Sequence, residues 1–170
     1  MEWNEPARLG YSDCAAMIKI KRVMKPDSPN LLLEVANHLV FPQDENRGAE
    51  FVQQLIETLK TSPESVNFVV AMDGEELVGF LVAVNTSEDC VLLSQAWSKP
   101  GNSWKIIDEL FLRIILWTFG LGKSSIRAET SRDSEAVWRR WEFQDRSRII
   151  ERKLDPSLLG QFLDKAREVM

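Results

Sequence analysis

A change of period near residue 65 sets the terms for this chain. Upstream, Phe51, Val52, Leu55, Ile56 and Leu59 recur at helical spacing, so Ala49–Thr61 predicts an amphipathic helix. From Val66 the pattern becomes apolar and β-branched, in the runs Val66–Met72, Glu76–Val84 and Cys90–Trp97. Asp73-Gly74 separates the first two runs and Asn85–Glu88 the second two. Asp-Gly is a hairpin signal because glycine takes the left-handed backbone that tight turns need. Short turns make consecutive strands antiparallel neighbours, so the three runs predict a meander. They are too apolar for a sheet with one wet face, and helices are expected on both sides.

The flanks supply those helices. Met17–Val23 alternates apolar and basic residues, as a half-exposed strand does. Ser28 followed by Pro29 reads as a cap and first helical residue, opening a helix over about Pro29–Leu39. Val40–Gly48 then reads as a loop bracketed by Pro42 and Gly48. After the meander, Ser98–Ser103 is a loop, and a helix is predicted over Ser103–Phe119 with Ile106, Ile107, Leu110, Phe111, Ile114 and Leu116 inward. Gly120 and Gly122 stop it. Lys123–Glu129 predicts a strand, Ser131–Trp141 a short helix, Phe143–Leu154 a last strand, and Pro156–Met170 a helix capped by Asp155. The whole, residues 1–170, is expected to be one α/β (α+β) domain with its core over residues 17–154.

Composition excludes several classes. Charged residues are 28% and hydrophobic ones 44% of the 170, a globular balance. The net charge of −5 supplies no global basic field for nucleic acid. Two cysteines far apart and one histidine, His38, argue against a structural zinc site or a disulfide framework. The apolar stretch Ile106–Phe119 is interrupted by Asp108, Glu109 and Arg113, so it does not read as a membrane span. The acidic, polar start Met1-Glu2-Trp3-Asn4-Glu5 lacks the features of a secretory signal, and a cytoplasmic location is expected.

Other features have ordinary explanations. His38 reads as a helix C-terminal charge or a packed side chain. Trp104, Trp117, Trp138 and Trp141 read first as packing residues on helices. Gly120-Leu121-Gly122-Lys123-Ser124 lacks the spacing of a nucleotide loop. The basic cluster Arg132, Arg139, Arg140, Arg146, Arg148, Arg152 and Lys153 is interleaved with Glu135, Glu142, Asp145 and Glu151, which suits a salt-bridged surface. The alternative is a surface for anionic phosphates or a protein partner.

The element order, β-α-α-β-β-β-α-β-α-β-α, resembles the GNAT acetyltransferase family, whose sheet is mixed, mostly antiparallel and twisted, with flanking helices. Two stretches carry the resemblance. In the family a loop of the type Q/R-x-x-G-x-G/A opens a helix and cradles the pyrophosphate of acetyl-CoA. The matching residues here are Ser98, Gly101 and Ser103, with Lys99 adding positive charge and Asn102 between the last two. A helix N-terminus with small residues suits an anion in any fold. The second stretch is Ser131–Phe143, against a family pattern N-x-x-A-x-x-ϕ-Y-x-x-ϕ-G-F in which ϕ is apolar. Ser131 falls on the asparagine and Trp138 on the tyrosine that commonly protonates the departing thiolate. An indole N–H is too weak an acid for that role, though it can pack against the pantetheine arm. Glu142 stands where the family has glycine, which implies a changed turn.

The resemblance implies direct acyl transfer from acetyl-CoA, or another acyl-CoA, to an amine, with no metal. Pantetheine would pair with backbone groups near Leu92, Leu93 and Ser94, which would also polarise the thioester carbonyl. Asp89 and Glu129 are the candidate bases, acting through water. The acceptor groove would lie between the Leu39–Arg47 loop, with Asp44 and Glu45, and the Gln144–Arg148 region. Three readings stay open at this point: an N-acyltransferase, a catalytically degenerate binding or regulatory module, and a structural protein that keeps the fold. A homodimer or protein partner would use the C-terminal helix.

Overall fold

A computed structural model of the chain describes residues 18–39, 45–101, 104–129, 139–146, 149–153, 160–161 and 164. The elements are β1 (Ile18–Val23), α1 (Pro29–Asn37), α2 (Glu45–Thr61), a 3-10 turn (Pro63–Ser65), β2 (Val66–Asp73), β3 (Glu76–Asn85), β4 (Cys90–Ser98), α3 (Trp104–Gly120), β5 (Ser125–Glu129), β6 (Gln144–Arg146) and β7 (Ile149–Lys153). The seven strands form one sheet in the order β1-β2-β3-β4-β5-β7-β6. The β4–β5 junction is parallel and the others are antiparallel.

The meander forms where the apolar runs place it. Asp73 pairs with Glu76, and Gly74 takes φ 60° in the turn between them. Side chains alternate across the sheet and build two cores. Phe68, Val70, Phe80 and Val82 face α1 and α2, packing with Leu31, Leu32, Val35, Leu55 and Leu59. Val69, Ala71, Leu81, Ala83, Val91 and Leu93 face α3, packing with Ile107, Leu110, Phe111 and Ile114. Both faces are therefore covered, as the apolar density of the runs requires. Gly79 allows α3 to lie close: a Cβ there would stand 3.1 Å from Leu110 Cδ1 and 3.2 Å from the Trp97 carbonyl oxygen.

Four details depart from the sequence reading. Helix α2 begins at Glu45, a turn before Ala49, so Glu45 belongs to a helix and not to the loop. Glu and Arg are good helix formers, and a Cβ at Gly48 would meet nothing within 4 Å, so that glycine costs only its propensity. In α3, Leu116 is 45% exposed and Ile115 is buried instead, because position 116 lies on the opposite side of the helix from 107, 111 and 114. Trp104, read as a packing residue, is 47% exposed at the first residue of α3. The last strand is two: β6 and β7 pair as Gln144↔Glu151 and Arg146↔Ile149, and β7 takes the place beside β5. The apolar residues Ile149 and Ile150 begin the inner strand, whereas Gln144-Asp145-Arg146 suits an outer edge. The helices expected over Ser131–Trp141 and Pro156–Met170 lie mostly outside the described residues.

A polar clamp ties the β3–β4 turn to the start of β5. Lys123 Nζ donates to the carbonyls of Thr86 at 3.0 Å and Glu88 at 2.7 Å. The Asp89 carboxylate accepts the Ser124 backbone N–H at 3.1 Å and the Ser124 hydroxyl. Arg127 pairs with Glu88 across the same joint. Cys90, a free thiol buried at the first residue of β4, accepts or shares a hydrogen with Thr86 Oγ1 at 3.3 Å.

The turn before β6 holds a left-handed residue that is not glycine. Glu142 takes φ 59°, in the left-handed region, and its N–H donates to the Arg139 carbonyl at 3.0 Å. The residue standing where the family pattern has glycine thus carries the strain of a backbone that glycine adopts freely. A left-handed non-glycine residue costs on the order of 1–3 kcal/mol, partly offset by the lower entropy of its unfolded chain. Glu142→Gly is expected to stabilise the fold by about 0.5–1 kcal/mol, read as a higher urea midpoint with an unchanged m-value. The clamp gives a second outcome. Hydrogen bonds from Ser124 hold the Asp89 carboxyl below the usual carboxylate range. A lowered folded pKa stabilises above the unfolded value of about 3.9 and is lost as pH falls through the folded value. Asp89→Asn should therefore flatten the melting temperature against pH below about pH 4. A wild-type acid limb in that variant would remove the carboxylate from the account.

Candidate functional site

The parallel joint between β4 and β5 is short. Its register runs from Cys90↔Ser125 to Leu93↔Ala128 and stops there, while β4 continues beside β3 to Ser98. The pairing of β3 with β4 shifts between Val82 and Ala83, so Ser94 is the extra residue of a β-bulge. The Ser94 hydroxyl donates to the Val82 carbonyl at 3.0 Å, which pins the bulge from its own side chain. A bulge bends its strand and raises the local twist. Here it falls one residue past the last β4–β5 pair, so β4 bends where the ladder ends. The clamp at Asp89–Ser124 holds the other end closed.

The sequence candidates among the described residues can be located on this frame. Leu92 and Leu93 lie inside the ladder, paired with Arg127 and Ala128, and Ser94 is the first residue beyond it. Glu129 ends β5 one residue past Ala128, with Ile149 as its partner in β7. Asp89 sits at the opposite end of β4 from Ser98, in the clamp. Ser98 pairs with Gly79 and closes β4. The Lys99 N–H donates to the Val78 carbonyl at 2.9 Å, and its ammonium is paired with Glu76 on the surface. Gly101 takes φ 87° in the turn that leads to α3. Ser94, Ser98 and Gly101 therefore lie along one path, from the parting of the strands to the helix. Asn102, Ser103, Ser131, Trp138 and Asp44 lie outside the described residues.

Two groupings escaped the sequence reading. His38, at the C-terminal cap of α1, stacks on Trp97 of β4 with ring centroids 3.7 Å apart and planes at 12°. Trp97 also packs against Phe80, 5.9 Å away. His38 is a packed side chain, as expected, but its partner stands on the part of β4 beyond the ladder. The second grouping centres on Asp108 of α3. It accepts the Trp141 indole N–H at 2.8 Å and the Arg140 Nε–H at 2.9 Å, with a second bond from Arg140. The carboxylate holds the Arg140 pKa above its ordinary value. Trp141 is buried and stacks on Phe111, 3.8 Å between centroids and 11° between planes. The residues before β6 are thereby pegged to α3. Neither grouping has a sequence signal, because both join side chains more than 30 positions apart through the tertiary fold.

Among the described residues no His, Cys, Asp and Glu side chains cluster as a metal site would require. No helix of the described residues is long and apolar enough to cross a membrane.

No family model matches the sequence, and no curated protein matches it significantly. Solved structures do match. An acetyltransferase of the GNAT family from Staphylococcus aureus superposes with a TM-score of 0.66 at 14% identity, covering 81% of this chain and 99% of that one. An acetyltransferase from Streptococcus agalactiae gives 0.66 at 15% identity, with 81% and 99% covered. The PaiA N-acetyltransferase from Thermoplasma acidophilum, solved in complex with coenzyme A, gives 0.63 at 17% identity, again with 81% and 99% covered. These superpositions show that the chain has the fold of the GNAT acetyltransferases.

Proposed function

We propose that this chain is an acyl-CoA-dependent N-acyltransferase that moves the acyl group directly from the thioester to a primary amine. The observation that carries the reading is the early end of the β4–β5 ladder at Leu93↔Ala128, with β4 running on to Ser98 and a left-handed glycine turn. An extended arm fits beside a strand that leaves its neighbour, where main-chain groups can pair with amides of the arm. A turn of small residues opening a helix suits the diphosphate that ends the arm. These features fit acetyl-CoA, with Ser94 and Ser98 along the arm and Gly101 at the diphosphate; the resemblance adds Asn102 and Ser103 to the diphosphate, and Ser131 and Trp138 to the residues that would hold the co-substrate. Acetyl-CoA would supply the activated thioester.

In this reading the amine nitrogen attacks the thioester carbonyl carbon, a C–N bond forms and the C–S bond breaks. Backbone N–H groups at the bulge polarise the carbonyl. Glu129 takes the amine proton through water, in preference to Asp89, whose carboxylate is already used by Ser124. The thiolate leaves without a tyrosine acid and takes its proton from solvent. A cytoplasmic setting belongs to the same proposal and suits the free thiol of Cys90.

A second reading, an acyl-CoA binder without turnover, draws on one observation. Lys99 and Asp89, the charged groups expected to serve the co-substrate and the amine, are both engaged by protein partners. Melting with acetyl-CoA tests both readings. At a hundredfold excess over Kd the ligand should stabilise the fold by about 2.7 kcal/mol, a shift of several degrees. Gly101 sits at φ 87°, which other residues adopt only under strain, so Gly101→Val should abolish the shift while the unliganded variant still melts cooperatively. A shift followed by thiol release with a panel of amines supports the transferase, and a shift without release supports the binder. No shift at millimolar acetyl-CoA contradicts both.

A further inference from the structure

Trp104 is the one tryptophan among the described residues that is largely exposed, at 47%. It is the first residue of α3, directly after the turn at Gly101. Its ring is not loose on the surface. The Arg140 guanidinium lies over it, 5.1 Å from the centroid. Arg140 in turn is held on both Asp108 oxygens, with Nε 2.9 Å from Oδ1. Asp108 is fixed by the indole N–H of Trp141, which is buried against Phe111. The outer Trp104–Arg140 pair is thus anchored to the core through three side chains.

The chemistry of that pair selects its ligand. The charge of Arg140 is met by Asp108, so the exposed indole of Trp104, more than a free cation, is what the pair offers a ligand. Such a surface takes an uncharged planar ring, because stacking needs only a π face. A phosphate would meet the Asp108 carboxylate. The position supplies the rest of the argument. Along a CoA molecule the order is thioester, pantetheine arm, diphosphate, adenosine. Along the chain the order is Ser94, Ser98, the Gly101 turn, then Trp104.

We propose that Trp104, braced by Arg140, is the stacking platform for the adenine ring of the co-substrate. The inference rests on the acyl-CoA reading above and adds to it the residue that distinguishes a whole CoA from its pantetheine end. Isothermal titration of wild type, Trp104→Ala and Trp104→Phe with CoA, 3′-dephospho-CoA and 4′-phosphopantetheine tests it. Trp104→Ala should lose about tenfold in affinity for CoA and for 3′-dephospho-CoA alike, and nothing for 4′-phosphopantetheine. Trp104→Phe should recover most of the loss. Melting of each variant checks that the exposed substitution leaves the fold intact. Equal affinity of wild type and Trp104→Ala for CoA overturns the proposal, as does an equal loss toward 4′-phosphopantetheine. Wild type that binds none of the three sinks the acyl-CoA reading itself, and wild type that binds all three equally sinks only the adenine platform.

Discussion

The proposed site depends on how two parallel strands are joined for four residues and on the bend of β4 that follows. A parallel joint in an otherwise antiparallel sheet needs a crossover, and α3 supplies it between β4 and β5. The bulge at Ser94 bends β4 just past Leu93, where the ladder ends. The clamp of Lys123, Ser124 and Arg127 on residues 86–89 keeps the near end from following. A fork therefore arises from a fixed end and a bent strand, with no glycine or proline at its apex. Ser94 replaces them with a side-chain bond to the Val82 carbonyl, which ties the bulge to the neighbouring strand.

The two cores hold that fork in place from opposite sides. Helix α3 lies across β2, β3 and β4, and the absence of a side chain at Gly79 sets how near it comes. Its first residues then hang beyond the packed core, which is why Trp104 is exposed while Ile106 and Ile107 are buried. On the other face α1 delivers His38 onto Trp97, so the outer part of β4 is covered by a ring stack where β5 no longer helps it. Asp108 links the third region, because its carboxylate on α3 holds Trp141 and Arg140 of the turn before β6. Glu142 can hold a left-handed backbone in that turn because the residues around it are pinned.

The legible part of this architecture was periodic. The β-branched runs of the meander, the glycine turn at Gly74 and the inward stripe of α3 each repeat over several residues, so their patterns survive without tertiary information. The element order carried the fold. The site was legible only as a path: Ser98, Gly101 and the helix after them follow from a glycine in a β-to-α connection. Where the ladder ends was not legible, because Leu92, Leu93 and Ser94 look alike to a periodicity argument and differ only in what stands across from them. The split of the last strand was hidden for a related reason: β6 is three polar residues, too short to show a period. Asp89 was visible as an acid near the meander, but its engagement by Ser124 is a contact across 35 positions. The left-handed backbone at Glu142 had no signal either, since a glutamate does not announce a positive φ.

The central claim is that the segment of β4 beyond the ladder receives the arm of an acyl-CoA. Amide chemical shifts of the ¹⁵N-labelled protein during titration with acetyl-CoA test it most directly. The account predicts that the amides of Ser94, Ala96, Trp97, Ser98 and Gly101 shift or broaden, while those of β1, at the far edge of the sheet, stay in place. Saturable shifts confined to residues away from β4 and the Gly101 turn, or no shifts at millimolar ligand, would contradict it.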